Sequence, residues 1–254
     1  MRVQCLDIGN STTKLGIFED EELSPVKHFK TNDVIQNPNL LASVITAGNC
    51  DLCYCSVVPI AEEAILKHLS AYKEKIYSIS PDFCADIPIS YDNKKEIGSD
   101  RIANAIAAYH SLPLPAVVID LGTATTFDII SQDGGYEGGI ILPGPQGFLD
   151  FLESSTALLP KIDLSESKIK SSAYGKNTKD AMLIGVFSGY KIMIEGIVEE
   201  LKDHHSKRYG KIPTFVICGG SNFGFVLEKF KYEENLTLHG LRIAYENDSE
   251  NFSL

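Results

Sequence analysis

The apolar positions fall into short runs separated by polar turns, with two spacings. Residues 3–8 form an apolar run broken at Gly9-Asn10, and an extended segment over 14–18 follows it. Residues 23–30 read as a third strand, closed by a polar turn near Asn32 and Asp33. The spacing then predicts a helix over 40–45, a buried strand over 52–58 and an amphipathic helix over 60–72, entered after Pro59. A further helix is expected over 100–112, bounded by Pro113 and Pro115.

The pattern then restarts. Residues 116–121 read as a strand, Gly122-Thr123 as a turn, 125–130 as a second strand and 135–143 as a glycine-rich third. The longest helical signal covers 178–205, with apolar Ala181, Ile184, Gly185, Ile192, Ile197 and Leu201. A strand over 214–218 and the pair Gly219-Gly220 open the last αβ section. Placing Asp7 on Asp120 aligns Leu6-Asp7-Ile8-Gly9 with Ile119-Asp120-Leu121-Gly122, and Thr12-Thr13 with Thr125-Thr126. Two long copies indicate a duplicated domain rather than a solenoid. The expected halves are 1–114 and 115–254, hinged at Leu112-Pro113-Leu114-Pro115. Strands that alternate with helices, yet begin each half with a hairpin, predict α/β architecture with mixed sheets.

Composition narrows the functional classes. Of 254 residues, 44% are hydrophobic and 22% charged, so a sizeable core is expected. No run approaches eighteen consecutive apolar residues, and the first residues lack a signal-peptide pattern; a cytoplasmic protein without a membrane span is expected. A net charge of −11 without a basic block argues against nucleic acid as a partner. Of the six cysteines, Cys50, Cys53 and Cys55 have no second ligand pair to complete a zinc site, and they read as small core residues.

The candidate chemistry sits in the two restarts. Asp7-Ile8-Gly9-Asn10-Ser11-Thr12-Thr13-Lys14 places a carboxylate at a strand end, then a glycine-led polar turn, then a lysine. Such a turn can direct N–H groups and hydroxyls at a phosphate, with the carboxylate near a metal. Taken alone it also fits an ordinary hairpin. Its recurrence as Asp120-Leu121-Gly122-Thr123-Ala124-Thr125-Thr126 favours two loops around one polyphosphate. Gly98-Ser99-Asp100-Arg101 opens a helix, and from spacing alone its Asp or Ser reads best as an N-cap. Gly138-Gly139-Ile140-Ile141-Leu142-Pro143-Gly144 fits either a strand or a wall for a nucleotide base, Cys218-Gly219-Gly220-Ser221 either a nucleotide-side loop or a tight turn, and Asn177-Thr178 a helix cap.

Together these motifs resemble the type III pantothenate kinases, a branch of the actin-like, sugar-kinase and heat-shock-ATPase superfamily. The resemblance runs from Leu6 to about Asn247 and includes Ser56-Val57-Val58-Pro59 and Leu238-His239-Gly240-Leu241. It implies two duplicated ribonuclease-H-like domains with an ATP cleft between them, and ATP-dependent phosphorylation of pantothenate at the start of coenzyme A synthesis. Asp7, Ile8, Gly9, Asn10, Ser11 and Lys14 would then serve ATP and Mg²⁺ from the first half, faced by Gly122, Thr123 and Thr125. Asp120 would hold a monovalent cation, potassium or ammonium. Asp100 would be the general base, with Tyr91, Gly98, Ser99 and Arg101 around the acceptor. Thr178 would reach pantothenate from the neighbouring subunit of a homodimer. Departures are mild: Ser11 for the usual threonine, Ser99 for a small residue, commonly alanine, and Cys218 for threonine. The alternatives are a kinase of the same superfamily with another acceptor, and a non-catalytic regulator on the same fold.

Overall fold

The computed structural model describes residues 1–80, 87–166, 172–220 and 230–249. The chain divides into two compact units, one of Met1–Ala116, Asp128–Gly138 and Asn235–Leu254, the other of Val117–Phe127 and Gly139–Glu234.

The first unit is built on the hairpin β1 (Arg2–Ile8) and β2 (Thr12–Glu19), antiparallel in register from Arg2 opposite Glu19 to Ile8 opposite Thr13. The short strands β3 (Glu22–Leu23) and β4 (Lys27–Lys30) both lie antiparallel to β2. The expected single strand over 23–30 is therefore two strands. Pro25 lies between them, and a proline supplies no N–H to a ladder. The expected turn at Asn32 and Asp33 belongs to a helix, α1 (Thr31–Gln36), which buries Thr31 and Val34. After α2 (Asn39–Gly48), β5 (Leu52–Ser56) adds parallel to β1. Helix α3 (Pro59–His68) starts with Pro59 in its first turn and ends sooner than its apolar pattern suggests. Strand β6 (Ile76–Ser78) then adds parallel to β5.

Strand alternation sends Leu6, Ile8, Leu52 and Tyr54 into a core with Val34, Leu41, Ile45, Ala61 and Ile65 of the three helices. Cys5 and Asp7, with their register partners Cys53 and Cys55, take the opposite face. Helix α4 (Ser99–Ser111) buries an unbroken run from Arg101 to Ala108.

Strands β7 (Ala116–Leu121), β8 (Ala124–Ser131) and β9 (Gly135–Pro143) share a sheet with β10 (Thr214–Cys218) and β11 (Lys231–Tyr232), in the order β11-β10-β7-β8-β9. Helix α5 (Pro145–Ser155), absent from the periodicity reading, packs Leu149 against Met182, Leu183, Val186 and Phe187 of α6 (Thr178–Tyr209).

By length and average hydropathy α6 is the one helix among the described residues apolar enough to cross a membrane. Leu183, Val186, Phe187, Tyr190, Ile194 and Val198 are nonetheless buried along one side, the pattern of a core helix. This buried stripe is not the expected one: Ala181, Gly185 and Ile192 are exposed. The chain ends its described part in α7 (Leu236–Ser249), which returns to the first unit and crosses α4 closely. A Cβ on Gly240 would stand 1.8 Å from the Ala103 carbonyl oxygen, so this glycine serves helix packing.

The internal repeat survives as a burial pattern. Residues 3–8 and 116–121 each show four buried residues, a half-buried aspartate and a buried residue. Beyond the turn the match slips. Thr13 and Thr125 are both fully buried, whereas Thr12 and Ala124 are both exposed. The first loop is thus one residue longer than the second, and Thr12-Thr13 corresponds to Ala124-Thr125 rather than to Thr125-Thr126.

Candidate active site

The first loop is held from behind. The Gly9 N–H donates to the Thr12 carbonyl at 3.2 Å, closing the turn. Thr31 takes up the loop's carbonyls: its hydroxyl donates to Gly9 O at 2.6 Å, and its N–H donates to Ser11 O at 3.1 Å. The Thr31 hydroxyl also meets that of Thr13 at 3.0 Å. With these carbonyls turned inward, the side chains of Asn10, Ser11 and Thr12 are exposed. Ile8 buries its side chain in the core, so it can contribute to a ligand only through its backbone. Asp7 is half-buried and pairs across the hairpin with Lys14. Thr31 was not singled out in the sequence, because a threonine after a strand carries no motif.

The start of α4 is joined to the same neighbourhood. The Ser99 hydroxyl donates to Ser56 O at 2.8 Å and accepts from Ser56 N–H at 2.9 Å. Ser56 ends β5 beside Cys55, whose thiol donates to Asp7 Oδ1 at 3.6 Å. Burial, then the carboxylates of Asp7 and Asp100, hold the Cys55 thiol well above its ordinary pKa. One sulfur therefore senses both carboxylates, which places Asp7 and Asp100 in one region of the first unit. Asp100 is not the N-cap that spacing favoured. Gly98 holds the cap position, and Asp100 lies inside the first turn, accepting the Arg101 N–H at 2.8 Å. A Cβ on Gly98 would lie 2.6 Å from Asp100 Oδ1, so this position needs glycine for the carboxylate to fold back over it.

Arg101 is buried, and its Nε donates to Asp128 Oδ1 at 2.7 Å. The Tyr136 hydroxyl donates to the same oxygen at 3.0 Å, and the guanidinium carbon lies 5.7 Å from the Tyr136 ring centre. Burial works against the charge on Arg101, but Asp128, Tyr136 and Tyr91 together outweigh it, and the guanidinium is held above its ordinary pKa. Burial, then Asp128, raises the Tyr136 hydroxyl. Tyr91 packs on Tyr136 with ring centres 5.8 Å apart, and a Cβ on Gly138 would come within 3.9 Å of the Tyr91 ring. Backbone bonds from Tyr136 N–H to Pro88 O and from Ser90 N–H to Tyr136 O, both 2.9 Å, fix the segment that carries Tyr91. At Gly138 it is the backbone, with φ +146°, that favours glycine, since the Tyr91 ring lies only at ordinary contact distance. Asp128 and Tyr136 escaped the sequence reading because each sits inside a strand and in no motif.

In the second unit, the Asp120 turn is enclosed by glycines. Gly122 N–H donates to Ala124 O at 3.0 Å, and Gly144 N–H donates to Thr123 O at 2.9 Å. A Cβ on Gly144 would lie 2.2 Å from Gly122 O. Gly219 has φ +96°, and a Cβ there would lie 2.5 Å from both Asp120 Oδ1 and Leu121 O. Two oxygens therefore converge on one glycine, a donor set that suits a hard cation. The Tyr232 hydroxyl donates to Gly219 O at 2.8 Å. Ser221, the last residue of that motif, lies outside the described residues, as does Cys84. Thr123 is exposed. Thr125 is fully buried, and its hydroxyl meets that of Tyr190 at 2.6 Å. Burial pushes the Tyr190 hydroxyl up to about 12. At the start of α6 the cap is Asn177, whose side chain accepts the Asp180 N–H at 2.9 Å. Thr178 is exposed beside it.

The profile of the family described as "Type III pantothenate kinase" matches residues 4–200. The chain is 35% identical over 247 residues to a type III pantothenate kinase of Methylacidiphilum infernorum (isolate V4), covering 95% of this chain and 87% of that one. It is 34% identical over 257 aligned positions to one of Citrifermentans bemidjiense, covering 96% and 98%. Among solved structures it is similar to a protein of Campylobacter jejuni described as a conserved putative Baf family transcriptional activator, with TM-score 0.59, 22% identity, and 99% and 100% of the two chains covered. A putative 2-dehydro-3-deoxygalactonokinase of Sinorhizobium meliloti has TM-score 0.59 at 12% identity, covering 99% and 100%. At such identities the structural likeness speaks to the fold alone.

Proposed function

The chain belongs to the type III pantothenate kinases, and from that membership we propose how its own residues divide the work. It transfers a phosphoryl group from ATP to pantothenate, the first step of coenzyme A synthesis. Phosphoryl transfer runs through a loose transition state, so the protein acts mainly by positioning and by charge.

Asp100 accepts the proton of the pantothenate hydroxyl, and Arg101 meets negative charge on the acceptor or on the phosphoryl group. Tyr91 and Gly98 shape that pocket, and Ser99 supports it from behind through the Ser56 backbone. Asp7, Asn10, Ser11 and Lys14, with the backbone of Ile8 and Gly9, attend the triphosphate. Gly122 and Thr123 are assigned to ATP as well, while Thr125 acts from behind through Tyr190. A magnesium ion on the phosphates would neutralise charge near Asp7. A potassium or ammonium ion would take Asp120 and the Leu121 carbonyl, adding positive potential there.

The observation that carries this reading is a short chain of contacts: the Cys55 thiol donates to Asp7 Oδ1 at 3.6 Å, and the next residue, Ser56, is bonded through both backbone groups to Ser99, the neighbour of Asp100. A phosphate-side carboxylate and an acceptor-side carboxylate in one neighbourhood are what in-line transfer requires. We place the enzyme in the cytoplasm and assign it a homodimer whose partner supplies Thr178. The exposed face of α6 supports the homodimer: Ile192 is 69% exposed, and the space beside Gly185, Gly189 and Gly196 is open. The test is ADP release followed with and without pantothenate and potassium. Release that needs both is expected; release indifferent to pantothenate would sink the assignment.

A further inference from the structure

We propose that Asp128 is a positioning residue for the acceptor. Its carboxylate fixes the plane of the Arg101 guanidinium, and Tyr136 fixes the carboxylate. The proposal rests on the reading of Arg101 as a contact to the acceptor or the transferring group.

A carboxylate with no exposure, set between Phe127 and Ile129 in a strand, is costly unless it is paired and hydrogen-bonded. Asp128 meets both conditions through a single oxygen, which takes Arg101 Nε at 2.7 Å and the Tyr136 hydroxyl at 3.0 Å. The guanidinium has a second constraint in the Tyr136 ring, 5.7 Å from its carbon. A bond in the plane and a ring beside it leave a planar fork little freedom to turn. Recognition of a carboxylate or phosphate by arginine depends on that plane, because the parallel N–H bonds must be aimed together. The Nε–H donates to Asp128, and in this proposal the two Nη groups are the part of the fork that meets an anion. Tyr91 closes the cluster by packing on Tyr136. The acceptor-side tyrosine and the arginine are therefore held by one buried group.

Removing the charge while keeping the shape tests this. Asp128→Asn should raise the acceptor KM about tenfold or more and leave the ATP KM within about twofold, because an imperfectly aimed charged hydrogen bond is lost on one side only. Tyr136→Phe should do the same on a smaller scale, about threefold. In an Arg101→Lys background, Asp128→Asn should add less than about twofold, since coupled groups do not add.

If folded Asp128→Asn leaves the acceptor KM unchanged while Arg101→Lys raises it, the positioning role is overturned and the reading of Arg101 stands. Full additivity in the double variant overturns it equally. If Arg101→Lys alone changes neither KM nor kcat, the reading of Arg101 falls and the proposal falls with it. Should Asp128→Asn fail to fold, Tyr136→Phe decides by the same comparison.

Discussion

Ser99 grips Ser56 through both of that residue's backbone groups, donating to its carbonyl and accepting from its N–H. The clamp ties the first turn of α4 to the end of β5, one residue from the Cys55 thiol that touches Asp7. This chain thus has a fastening between the helix proposed for the acceptor side and the strand proposed for the phosphate side.

Ser99→Ala should cost about 1–2 kcal/mol, the usual worth of two modest hydrogen bonds. In a chain of this size the melting temperature should fall by about 2–8 °C. Because the hydroxyl is turned to Ser56, kcat should stay within about threefold. A tenfold loss of kcat with unchanged melting would instead put Ser99 on the substrate.

Gly98 and Asp100 give a paired prediction. Asp100→Asn should lower kcat by about 10²–10⁴-fold, the range for a lost general base, with little change in melting. Gly98→Ala introduces a carbon 2.6 Å from Asp100 Oδ1 without entering the core. The carboxylate should be displaced, and kcat should fall steeply with melting nearly unchanged. A Gly98→Ala enzyme of full activity would show that the folded-back carboxylate is not the working position.

The candidate residues stood out in the sequence because most lie at strand ends, where Asp, Gly and Asn in an apolar context are conspicuous. The repeat of Asp7 at Asp120 holds in the burial of both strands. The pairing of Thr12-Thr13 with Thr125-Thr126 did not hold, because an ungapped comparison cannot see a loop that is one residue shorter. Thr125 therefore sits inside, against Tyr190. Asp128 was illegible because only the fold brings Arg101 to it from the next helix back. Helix α6 misled for a different reason: apolar residues occupy both of its sides, so periodicity alone does not say which side faces α5.

The buried thiols set a limit at alkaline pH. Cys5 and Cys55 are both held well above the ordinary thiol value of 9.0, chiefly by burial, with Cys53 adding for Cys5 and Asp7 and Asp100 for Cys55. Below 9 both states keep the protons, and stability does not depend on them. Above 9 the unfolded chain releases protons that the folded one retains, so stability falls as pH rises toward the folded values. Each thiol contributes a slope of about 1.4 kcal/mol per pH unit there. Melting measured from pH 8 to 10.5 should drop accordingly, and the drop should be shallower in Cys5→Ala with Cys55→Ala. An equally steep fall in that double variant would assign the effect elsewhere.

The proposed sharing of one site by two subunits can be tested without seeing the dimer. Asn177 performs the capping at the start of α6, which leaves the exposed Thr178 hydroxyl for another task. Further along the same helix, Ile192 is 69% exposed, and a Cβ on Gly185, Gly189 or Gly196 would meet nothing within 4 Å. Such a face suits a second copy of the helix, packed in a closed two-fold pair. Asp100→Asn and Thr178→Ala chains, each nearly inactive at low pantothenate, should therefore rescue one another when mixed under conditions that exchange subunits. In a random mixture about half the dimers pair the two variants, and each of these has one intact site, so about a quarter of normal activity should return. Ile192→Glu should abolish the rescue and shift sedimentation to the monomer. Mixed chains that stay inactive despite proven exchange would confine the site to a single subunit.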